Sequence, residues 1–428
     1  MILKGKKFSV MDLFLLRGLI SYVARVIVLG SKNISSKESI MSSELLERPL
    51  KKHLPTEAVT SPHFEKIPVK GYEQVIRVTD QSAKLDAIIA IHNTTLGPAL
   101  GGVRIYPYAN VQAALDDVLR LSKGMTYKAA IAEVGFGGGK SVIIADPQKT
   151  KTPELLRAFG RAVEKLAGSY ICAEDMGCTT EDVKIIRQTT KYVVGLPHVK
   201  SSGDPGPFTA WGVFRGIQSV VKRLYKSDSL EGCKIAVQGL GNVGGNLVEH
   251  LFWAGADLIL SDLDAARLER YAKKYRAKTV SAAEVLRVEC DVLAPCAMGG
   301  VFNDATIALL RCKAIAGAAN NQLLSDVHAD VLKEKGVLYA PDFVINAGGL
   351  LNVAEEVEDE GYTPAHPRYK THHIYDTLQA IYEIADKNRE STHSAAVSLA
   401  DYRLKYGIGR RVIPPTFHHS AEPLSVGR

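Results

Sequence analysis

The sequence predicts an α/β protein of two domains, in which an N-terminal α/β domain precedes a parallel sheet flanked by helices. The 428 residues exceed what a single hydrophobic core usually serves. Short apolar runs rich in β-branched residues alternate with helical patterns from residue 234 to residue 339, which is typical of such a sheet. The turn-rich segment 201–207 separates the two halves, so we expect a boundary or hinge there.

Hydrophobic periodicity and end signals predict the individual elements. Asn110 is a suitable cap before apolar residues at helical spacing, and Pro153 suits the first turn of another helix. The predicted helices are 110–123, 153–167, 209–222, 246–253 and a terminal helix 373–390. The predicted strands are 86–92, 141–145, 234–238, 258–262, 291–294, 314–316 and 337–339. The last 20 residues, which include a Pro-Pro pair, are expected to form a loose tail.

The charge and the N-terminal segment exclude several classes of partner. The net charge is +7, but residues 1–60 hold ten Lys and Arg against five Asp and Glu, so the folded body is nearly neutral and no nucleic-acid partner is expected. Charged residues interrupt the apolar stretch 8–29, whereas a membrane span needs roughly 20 apolar residues in a row. We therefore predict no membrane partner and a poorly ordered extension over residues 1–60.

The cysteines and histidines predict neither a metal site nor disulfide bonds. The six cysteines are scattered and no two form a C-x-x-C pair, which favours a reducing cytoplasm. The histidine pairs 372–373 and 418–419 have no acids or cysteines at ligand spacing.

A glycine-rich turn predicts a dinucleotide site. Gly239, Gly241 and Gly244 form a G-x-G-x-x-G between an apolar strand and a helical pattern, where glycines allow a pyrophosphate to approach the backbone and the helix N-terminus. Asp262 follows 23 residues after the first glycine, where an acid holds the ribose hydroxyl groups and repels a 2′-phosphate. NAD is thus favoured over NADP, although the nearby Arg267 weakens that preference.

Lys140 follows three glycines, yet the segment is not a phosphate-binding loop. That motif needs a glycine at position 134, which is Val134, and a preceding strand, where the sequence predicts helix. Lys128 lies twelve residues earlier, and Asp175 supplies an acid. One lysine is suited to pair with a carboxylate, while the other, if buried beside positive charge, has a lowered pKa and can act as a base. From spacing alone, each lysine is more typical of a solvated surface position than of a functional one.

Eight short motifs resolve this ambiguity, because they occur together in one order. They are Gly-Gly-Val-Arg at 101–104, Gly-Met-Thr-Tyr-Lys at 124–128, Gly-Gly-Gly-Lys at 137–140, Ala-Glu-Asp at 173–175, Ser-Ser-Gly at 201–203, Ala-Pro-Cys-Ala at 294–297, Ala-Asn-Asn-Gln at 319–322 and Val-Ile-Asn-Ala-Gly-Gly at 344–349. From about residue 71 to about residue 400, the chain resembles the glutamate/leucine/phenylalanine/valine dehydrogenase family, and the leucine enzymes most of all.

The resemblance implies a substrate domain over 61–200, to which a terminal helix at about 370–410 returns, and a Rossmann domain over 201–365 that binds NAD. It implies that Lys140 is the catalytic lysine, with Asp175 as its acidic partner, and that Lys128 binds the substrate carboxylate. Further residues implied for the substrate are Gly102, Leu100, Ala173, Leu350 and Val353. Those implied for the cofactor are Gly239, Leu240, Gly241, Asn242, Val243, Gly244, Gly245, Asp262, Thr209 and Asn321. Asn346 either approaches the substrate amine or shapes a turn.

The implied reaction is the reversible, NAD-dependent oxidative deamination of a branched-chain aliphatic amino acid, leucine as well as valine or isoleucine, to the 2-oxo acid and ammonia. The side-chain pocket residues are all apolar, which disfavours glutamate. One methyl group changes substrate preference by only roughly 1–3 kcal/mol, so the three aliphatic substrates are not separated. The alternatives are an aromatic amino-acid dehydrogenase for phenylalanine or tryptophan, or a non-catalytic NAD-binding protein. The resemblance also implies a homo-oligomer, with the octamer common among leucine enzymes.

Overall fold

A computed structural model of the chain describes residues 62–196 and 201–418. The expected extension over 1–60, with its apolar stretch 8–29, and the last ten residues lie outside this range. Within it, the strands form two six-stranded sheets. Among the described helices, none has both the length and the hydropathy needed to cross a membrane.

The first sheet is mixed and has the order β1-β2-β3-β5-β4-β6. Its strands are β1 His63–Lys66, β2 Gln74–Asp80, β3 Leu85–Asn93, β4 Ala99–Tyr106, β5 Gly137–Ile144 and β6 Tyr170–Glu174. Strands β1, β2 and β3 pair antiparallel in turn and β3 pairs antiparallel with β5, while β4 runs parallel to both β5 and β6. This order places β4 between β5 and β6, which matters for the site described below.

Helices cover both faces of the first sheet. They are α1 Val111–Ala132, α2 Pro153–Lys165 and α3 Thr180–Arg187. The side chains of Asn110, Thr152 and Thr179 cap their N-termini by accepting from backbone amides. Val118 of α1 packs over Ile88 and Val142 on one face, and Phe159 of α2 packs against the other. Each such buried side chain contributes about 1.5–3 kcal/mol, which fixes α1 on the sheet.

The second sheet is parallel throughout and has the order β12-β11-β10-β7-β8-β9. Its strands are β7 Lys234–Gln238, β8 Asp257–Ser261, β9 Lys278–Thr279, β10 Val292–Pro295, β11 Ala314–Ile315 and β12 Leu338–Tyr339. Helices along this part of the chain are α4 Gly206–Tyr225, α5 Asn242–Trp253, α6 Ala265–Tyr275, α7 Asp304–Leu309 and α8 His328–Glu334. The strand order reverses between β7 and β10, so a crevice opens at their carboxyl ends.

The C-terminal helices connect the two sheets. They are α9 Asp342–Ile345, α10 Gly348–Ala354, α11 Ala365–His372, α12 Ile374–Asn388 and α13 Thr392–Tyr406, and short 3-10 turns occur at Val285–Arg287 and Glu355–Val357. Helix α13 returns to α1, where Arg403 donates to the carbonyl of Ile131 at 2.6 Å and pairs with Glu133 at 2.7 Å. The predicted fold class, two α/β parts with a Rossmann-like sheet and a returning terminal helix, is confirmed.

Several predicted elements were wrong in extent. Helix α1 continues through Gly124 to Ala132, because its buried face outweighs the cost of one interior glycine, about 1 kcal/mol. The strand predicted at 141–145 begins at Gly137, so the glycine run is sheet and not loop. The predicted terminal helix 373–390 corresponds to α12, Ile374–Asn388, whereas α11 before it and α13 after it were not predicted separately, and three of the four buried residues of α13 are alanines.

The expected loose tail is also wrong as far as residue 418. Arg411 pairs with Glu358 at 2.7 Å and donates to the Gly135 carbonyl at 3.2 Å, and the Thr416 amide donates to the Val357 carbonyl. Prolines at 414 and 415 stop a helix there but do not prevent docking. Residues 419–428, and with them His419, lie outside the described range.

Candidate active site

The sheet order brings Lys140 and Asp175 together. Lys140 lies in the middle of β5 and is 6% exposed, while Asp175 follows β6 directly. The two residues reach each other across β4, and the Lys140 ammonium donates to Oδ2 of Asp175 in a short, half-buried ion pair. The predicted pairing of these two residues is therefore present, although 35 positions separate them in sequence.

Glycines in the strands allow this close approach. A Cβ atom on Gly102 would collide with the Glu174 carbonyl oxygen and would lie 2.8 Å from the Cβ atom of Asp175. A Cβ atom on Gly138 would collide with Thr126 of α1. Gly102 thus lets the β6 end close over β4, and Gly138 lets α1 lie against the strand that carries Lys140. The structure gives Gly102 this packing role beside the site.

Helix α1 brings Lys128 to the same place. Lys128 is half-buried near the C-terminal end of α1, and its ammonium donates to Oδ1 of Asn320 at 3.2 Å. Asn320 follows β11 of the second sheet, so this hydrogen bond joins the two sheets across the site. Asn346 also donates to Asn320 Oδ1, at 2.7 Å, and to the Ala318 carbonyl at 3.0 Å. The structure therefore gives Asn346 a turn-shaping contact.

The charges of the site perturb one lysine and one acid. Burial lowers the pKa of Lys128 to about 8, aided by the charge of Lys140 and opposed by the carboxylates of Asp342 and Asp175. Burial on its own would raise the pKa of Asp175, but the positive charges of Lys140 and Arg104 outweigh it, so that the pKa lies below its ordinary value.

The residues implied for the substrate side chain belong to one apolar cluster. Leu100, Leu350 and Val353 are buried in it, and the half-buried Ala173 packs against it. Leu100 lies on β4 and Ala173 on β6, beside the Lys140–Asp175 pair, while the other two lie on α10. The cluster brings together residues from both sheets and their connecting helices.

The glycine turn has the geometry of a dinucleotide site. Strand β7 ends at Gln238 and α5 begins at Asn242, so the turn feeds directly into the helix. Gly239 has a φ of +92°, a conformation that favours glycine, and no side chain caps the α5 N-terminus. A Cβ atom added to Gly241 would meet no described atom within 4 Å, so this backbone faces open space. The free amides and the open approach fit a pyrophosphate.

Glycines at the helix start are needed for packing. A Cβ atom on Gly244 would collide with the Gly239 carbonyl oxygen, and one on Gly245 would collide with the Tyr271 hydroxyl. Val243, which precedes them, is half-buried. The two glycines hold the α5 start close to the turn, and Gly245 lines the same cleft as Leu240, Gly241 and Asn242.

Asp262 lies one residue beyond the end of β8 and not inside the strand as predicted. Its Oδ2 atom accepts from the Leu240 amide at 2.6 Å and lies 3.5 Å from Arg267 Nη1. Burial acts to raise the pKa of Asp262, but hydrogen bonds from the amides of Asp264 and Leu240 and the charge of Arg267 lower it overall. The carboxylate is therefore ionised beside the glycine turn.

The remaining predicted cofactor residues lie at two separate edges. Asn242 donates to both carboxylate oxygens of Asp204, at 2.8 and 2.9 Å, which ties the glycine turn to the loop before α4. Thr209 lies in the first turns of α4 and donates to the Pro205 carbonyl at 3.0 Å. Asn321 has a φ of +50° and its side chain approaches Gly124 of α1. Among the described residues, no hydrogen bond joins Asn321 to the glycine turn.

Sequence reasoning missed Arg104, Asp204 and Asn320 as functional candidates. Asp204 occurs in the turn-rich segment 201–207, and only the fold shows that its carboxylate accepts from Asn242 in the glycine turn. Asn320 directly precedes Asn321, so the Asn-Asn pair was a usable signal. Arg104 and Gly102 are two residues apart on β4, so both lie on the same face of the strand.

Comparisons with known proteins agree with this geometry. Residues 71–192 match the model of the Glu/Leu/Phe/Val dehydrogenase dimerisation domain, and residues 260–400 match that of glutamate/leucine/phenylalanine/valine dehydrogenase. The leucine dehydrogenase of Geobacillus stearothermophilus is 47% identical over 80% of this chain and 93% of its own. The phenylalanine dehydrogenase of Caldalkalibacillus thermarum is 48% identical over 79% and 92%.

A solved relative has the same architecture. The crystal structure of L-tryptophan dehydrogenase from Nostoc punctiforme superposes with a TM-score of 0.68 at 48% identity, and the match covers 79% of this chain and 96% of that one. Both family models and the relatives agree with the ordered motifs and with an oxidoreductase that acts on CH–NH2 groups, as predicted. The chain belongs to the glutamate/leucine/phenylalanine/valine dehydrogenase family of amino-acid dehydrogenases.

Proposed function

We propose that the protein catalyses the reversible, NAD-dependent oxidative deamination of a branched-chain aliphatic L-amino acid, leucine above all. The observation that carries this proposal is the cluster of Lys128, Lys140 and Asp175 beside apolar residues. Two cations suit an amino acid carboxylate and an attacking water, and an apolar lining suits an aliphatic side chain. Burying such a side chain contributes about 1.5–3 kcal/mol.

Lys128 is proposed to bind the substrate carboxylate. Its lowered pKa, about 8, results mainly from burial in the free protein. A bound carboxylate adds opposite charge beside the ammonium, so binding favours the protonated lysine. Asn320 already orients the ammonium through its amide oxygen. Lys128 thus neutralises the substrate carboxylate and is not the base that activates the attacking water.

NAD is proposed to bind along the glycine turn, from Gly239 to Gly245, with Asp262 at the ribose. The open face of Gly241 and the uncapped α5 N-terminus fit the pyrophosphate. The ionised Asp262 suits a diol and repels a 2′-phosphate, which favours NAD over NADP. Thr209 and Asn321 are proposed to face the nicotinamide half. When bound, this cofactor accepts the hydride from the substrate Cα atom.

Lys140 and Asp175 are proposed to manage the protons after hydride transfer. The substrate is then an iminium ion, and its positive charge disfavours a second cation at Lys140. Lys140 passes a proton to Asp175 through the hydrogen bond between them, and the neutral amine removes a proton from water as it attacks the iminium carbon. Asp175 then returns its proton to the amine. As the C–N bond breaks and the carbonyl forms, the hydroxyl proton leaves with the ammonia as ammonium, so Lys140 is again protonated and Asp175 is again ionised. The ionised state of Asp175 in the free protein makes it an acceptor first and a donor second.

The side-chain specificity is tested by a panel of substrates. NADH formation is measured with leucine, valine, isoleucine, phenylalanine, tryptophan and glutamate under identical conditions. We expect the highest kcat/KM with the aliphatic substrates. Turnover with aromatic substrates alone would favour the second candidate, which the tryptophan and phenylalanine relatives support. Absence of turnover on all six, with NAD still bound, would favour a non-catalytic protein.

We also propose a homo-oligomer in the cytoplasm. The first family model describes a dimerisation domain, which supports self-association, and an octamer is the form that we expect. The six cysteines are all free thiols, as in a reducing compartment. Light scattering coupled to size exclusion measures the mass directly, and a monomer at micromolar concentration would contradict the proposal.

A further inference from the structure

Arg104 lies between two carboxylates at the edge of the candidate active site. Its Nη1 atom donates to Oδ2 of Asp117 on α1 at 2.9 Å, and its Nη2 atom lies 3.6 Å from Oδ1 of Asp175. Tyr108 also donates to Asp117 Oδ2, at 2.7 Å. The guanidinium is therefore the third member of a row of alternating charges, which runs from Lys140 through Asp175 and Arg104 to Asp117.

Three of the four charged groups of this row, besides the buried Lys140, are also largely withdrawn from water. The side chains of Arg104, Asp117 and Asp175 are 15%, 15% and 14% exposed. The Nε atom of Arg104 is buried and has no hydrogen-bond partner among residues 62–196 and 201–418. A buried donor without a partner costs free energy. The contacts with the two carboxylates therefore hold the guanidinium in place against the cost of its unpaired Nε atom.

We propose that Arg104 is a positioning residue for the reaction: it keeps Asp175 ionised and oriented towards Lys140, while Asp117 anchors the guanidinium from α1. Lys140 and Arg104 contact opposite oxygens of Asp175, so the carboxylate is fixed in rotation as well as in charge. The proposal rests on the proposed function, because it assigns Arg104 a role only through Asp175.

The sign of the expected pH effect follows from the surroundings of Asp175. Burial favours the neutral acid, and two cations in contact oppose it. Titratable and charged groups that act on Asp175 or respond to its charge are Lys140 on β5, Arg104 on β4, Lys128 on α1, Glu174 and Tyr170 on β6, Tyr108 before α1 and Cys178 after β6. Removing the charge of Arg104 leaves Lys140 as the one contacting cation in the described chain, so protonation of Asp175 moves to higher pH.

The test is the pH profile of kcat/KM for Arg104→Gln beside the unchanged protein. An opposite charge in contact lowers an acid's pKa by about 1–3 units, so the acidic limb should move up by about that amount. Arg104→Lys should restore much of the original limb, because it keeps the charge. Arg77→Gln is the matched control, since Arg77 pairs with Asp86 in the same sheet and far along it from the site. Arg104→Met replaces the glutamine variant if the latter does not fold.

The outcomes separate this inference from the proposed function. Equal loss of activity at every pH, with an unmoved acidic limb, would overturn the role of Arg104 while leaving the proposed function intact. If the unchanged protein oxidises no amino acid, the proposed function fails, and urea unfolding from about pH 6 down to about pH 3 then tests the ionisation of Asp175 alone. Arg104 helps to lower the pKa of folded Asp175 below that of the unfolded chain, so the unchanged protein should lose more stability on acidification than Arg104→Gln, and the two midpoints should converge at low pH. Parallel curves would contradict the proposal.

Discussion

The two sheets carry their candidate sites in opposite ways. In the second sheet, one continuous segment from β7 through the glycine turn to α5 supplies most of the dinucleotide site, and Asp262 follows on the adjacent strand. In the first sheet, Lys128, Lys140 and Asp175 come from α1, β5 and the end of β6. We call the dinucleotide site the local site, because it depends on the chemistry of one turn. We call the lysine–aspartate site the dispersed site, because it depends on the sheet order that places β4 between β5 and β6.

The difference has consequences for how each site fails. The glycine turn presents backbone amides, so a change there should alter cofactor affinity and leave the proton chemistry intact. The lysine–aspartate site presents side chains, so a change there should alter the chemical step and leave cofactor binding intact. Substitutions in each of the two sites test this separation.

Asp175→Asn removes the proton acceptor of the dispersed site and keeps its size. General acid–base groups contribute typically about 10²–10⁴-fold in rate, so kcat should fall within that range while the KM for NAD stays the same. Steady-state kinetics in both cofactor and amino acid measure this. An effect confined to the KM for NAD would indicate that Asp175 acts at the cofactor site and not in proton transfer.

Gly102→Ala perturbs the dispersed site by crowding alone. The new Cβ atom collides with the Glu174 carbonyl and crowds Asp175, and overpacking of this kind costs about 1–3 kcal/mol of stability. A displacement of the carboxylate should lower kcat by about 10- to 100-fold. Thermal melting and kinetics are measured together, and an alanine variant with unchanged kcat would show that the spacing across β4 is not critical.

Gly241→Ala is the matched change in the local site. Its Cβ atom meets no described atom within 4 Å, and its φ of −66° suits any residue, so the free energy of unfolding should not fall. The methyl group should instead obstruct the pyrophosphate and raise the KM for NAD about tenfold, equivalent to ~1.4 kcal/mol. Lower stability with unchanged NAD affinity would show that Gly241 is needed for packing and not for cofactor binding.

Asp262→Asn should have the smallest effect and act on cofactor choice. Asparagine keeps an oxygen for the Leu240 amide but removes the charge, and two charges 4 Å apart in water interact by only ~1 kcal/mol. The ratio of kcat/KM for NADP to that for NAD should rise about fivefold, helped by Arg267. An unchanged ratio would exclude Asp262 as the determinant of NAD preference.

The sequence predicted the second sheet better than the first, for a physical reason. Parallel strands such as β7 are buried on both faces and appear as continuous apolar runs, and the glycine spacing is local. In the first sheet, β1, β2, β4 and β6 were missed, because glycines in β4 and half-buried polar residues in β2 weaken the strand pattern. The domain limits and site roles remain predictions, and only the order of family motifs indicated that Lys140 and Asp175 meet.

Contacts that depend on topology were beyond sequence reasoning. The row from Lys140 through Asp175 and Arg104 to Asp117 joins three strands or strand ends and a helix, and no local pattern marks it. The lowered pKa of Lys128 likewise results from burial created by the tertiary fold. Both features concern the dispersed site, where distant segments determine the environment of each group.

The central claim is that Lys140 carries the chemistry while the glycine turn holds the cofactor. The most direct test is Lys140→Ala, with NADH formation from leucine measured beside NAD binding by calorimetry. The account predicts a fall in turnover of about 10²–10⁴-fold with the Kd for NAD unchanged. Turnover that survives the substitution, or NAD binding that is lost together with it, would contradict the account.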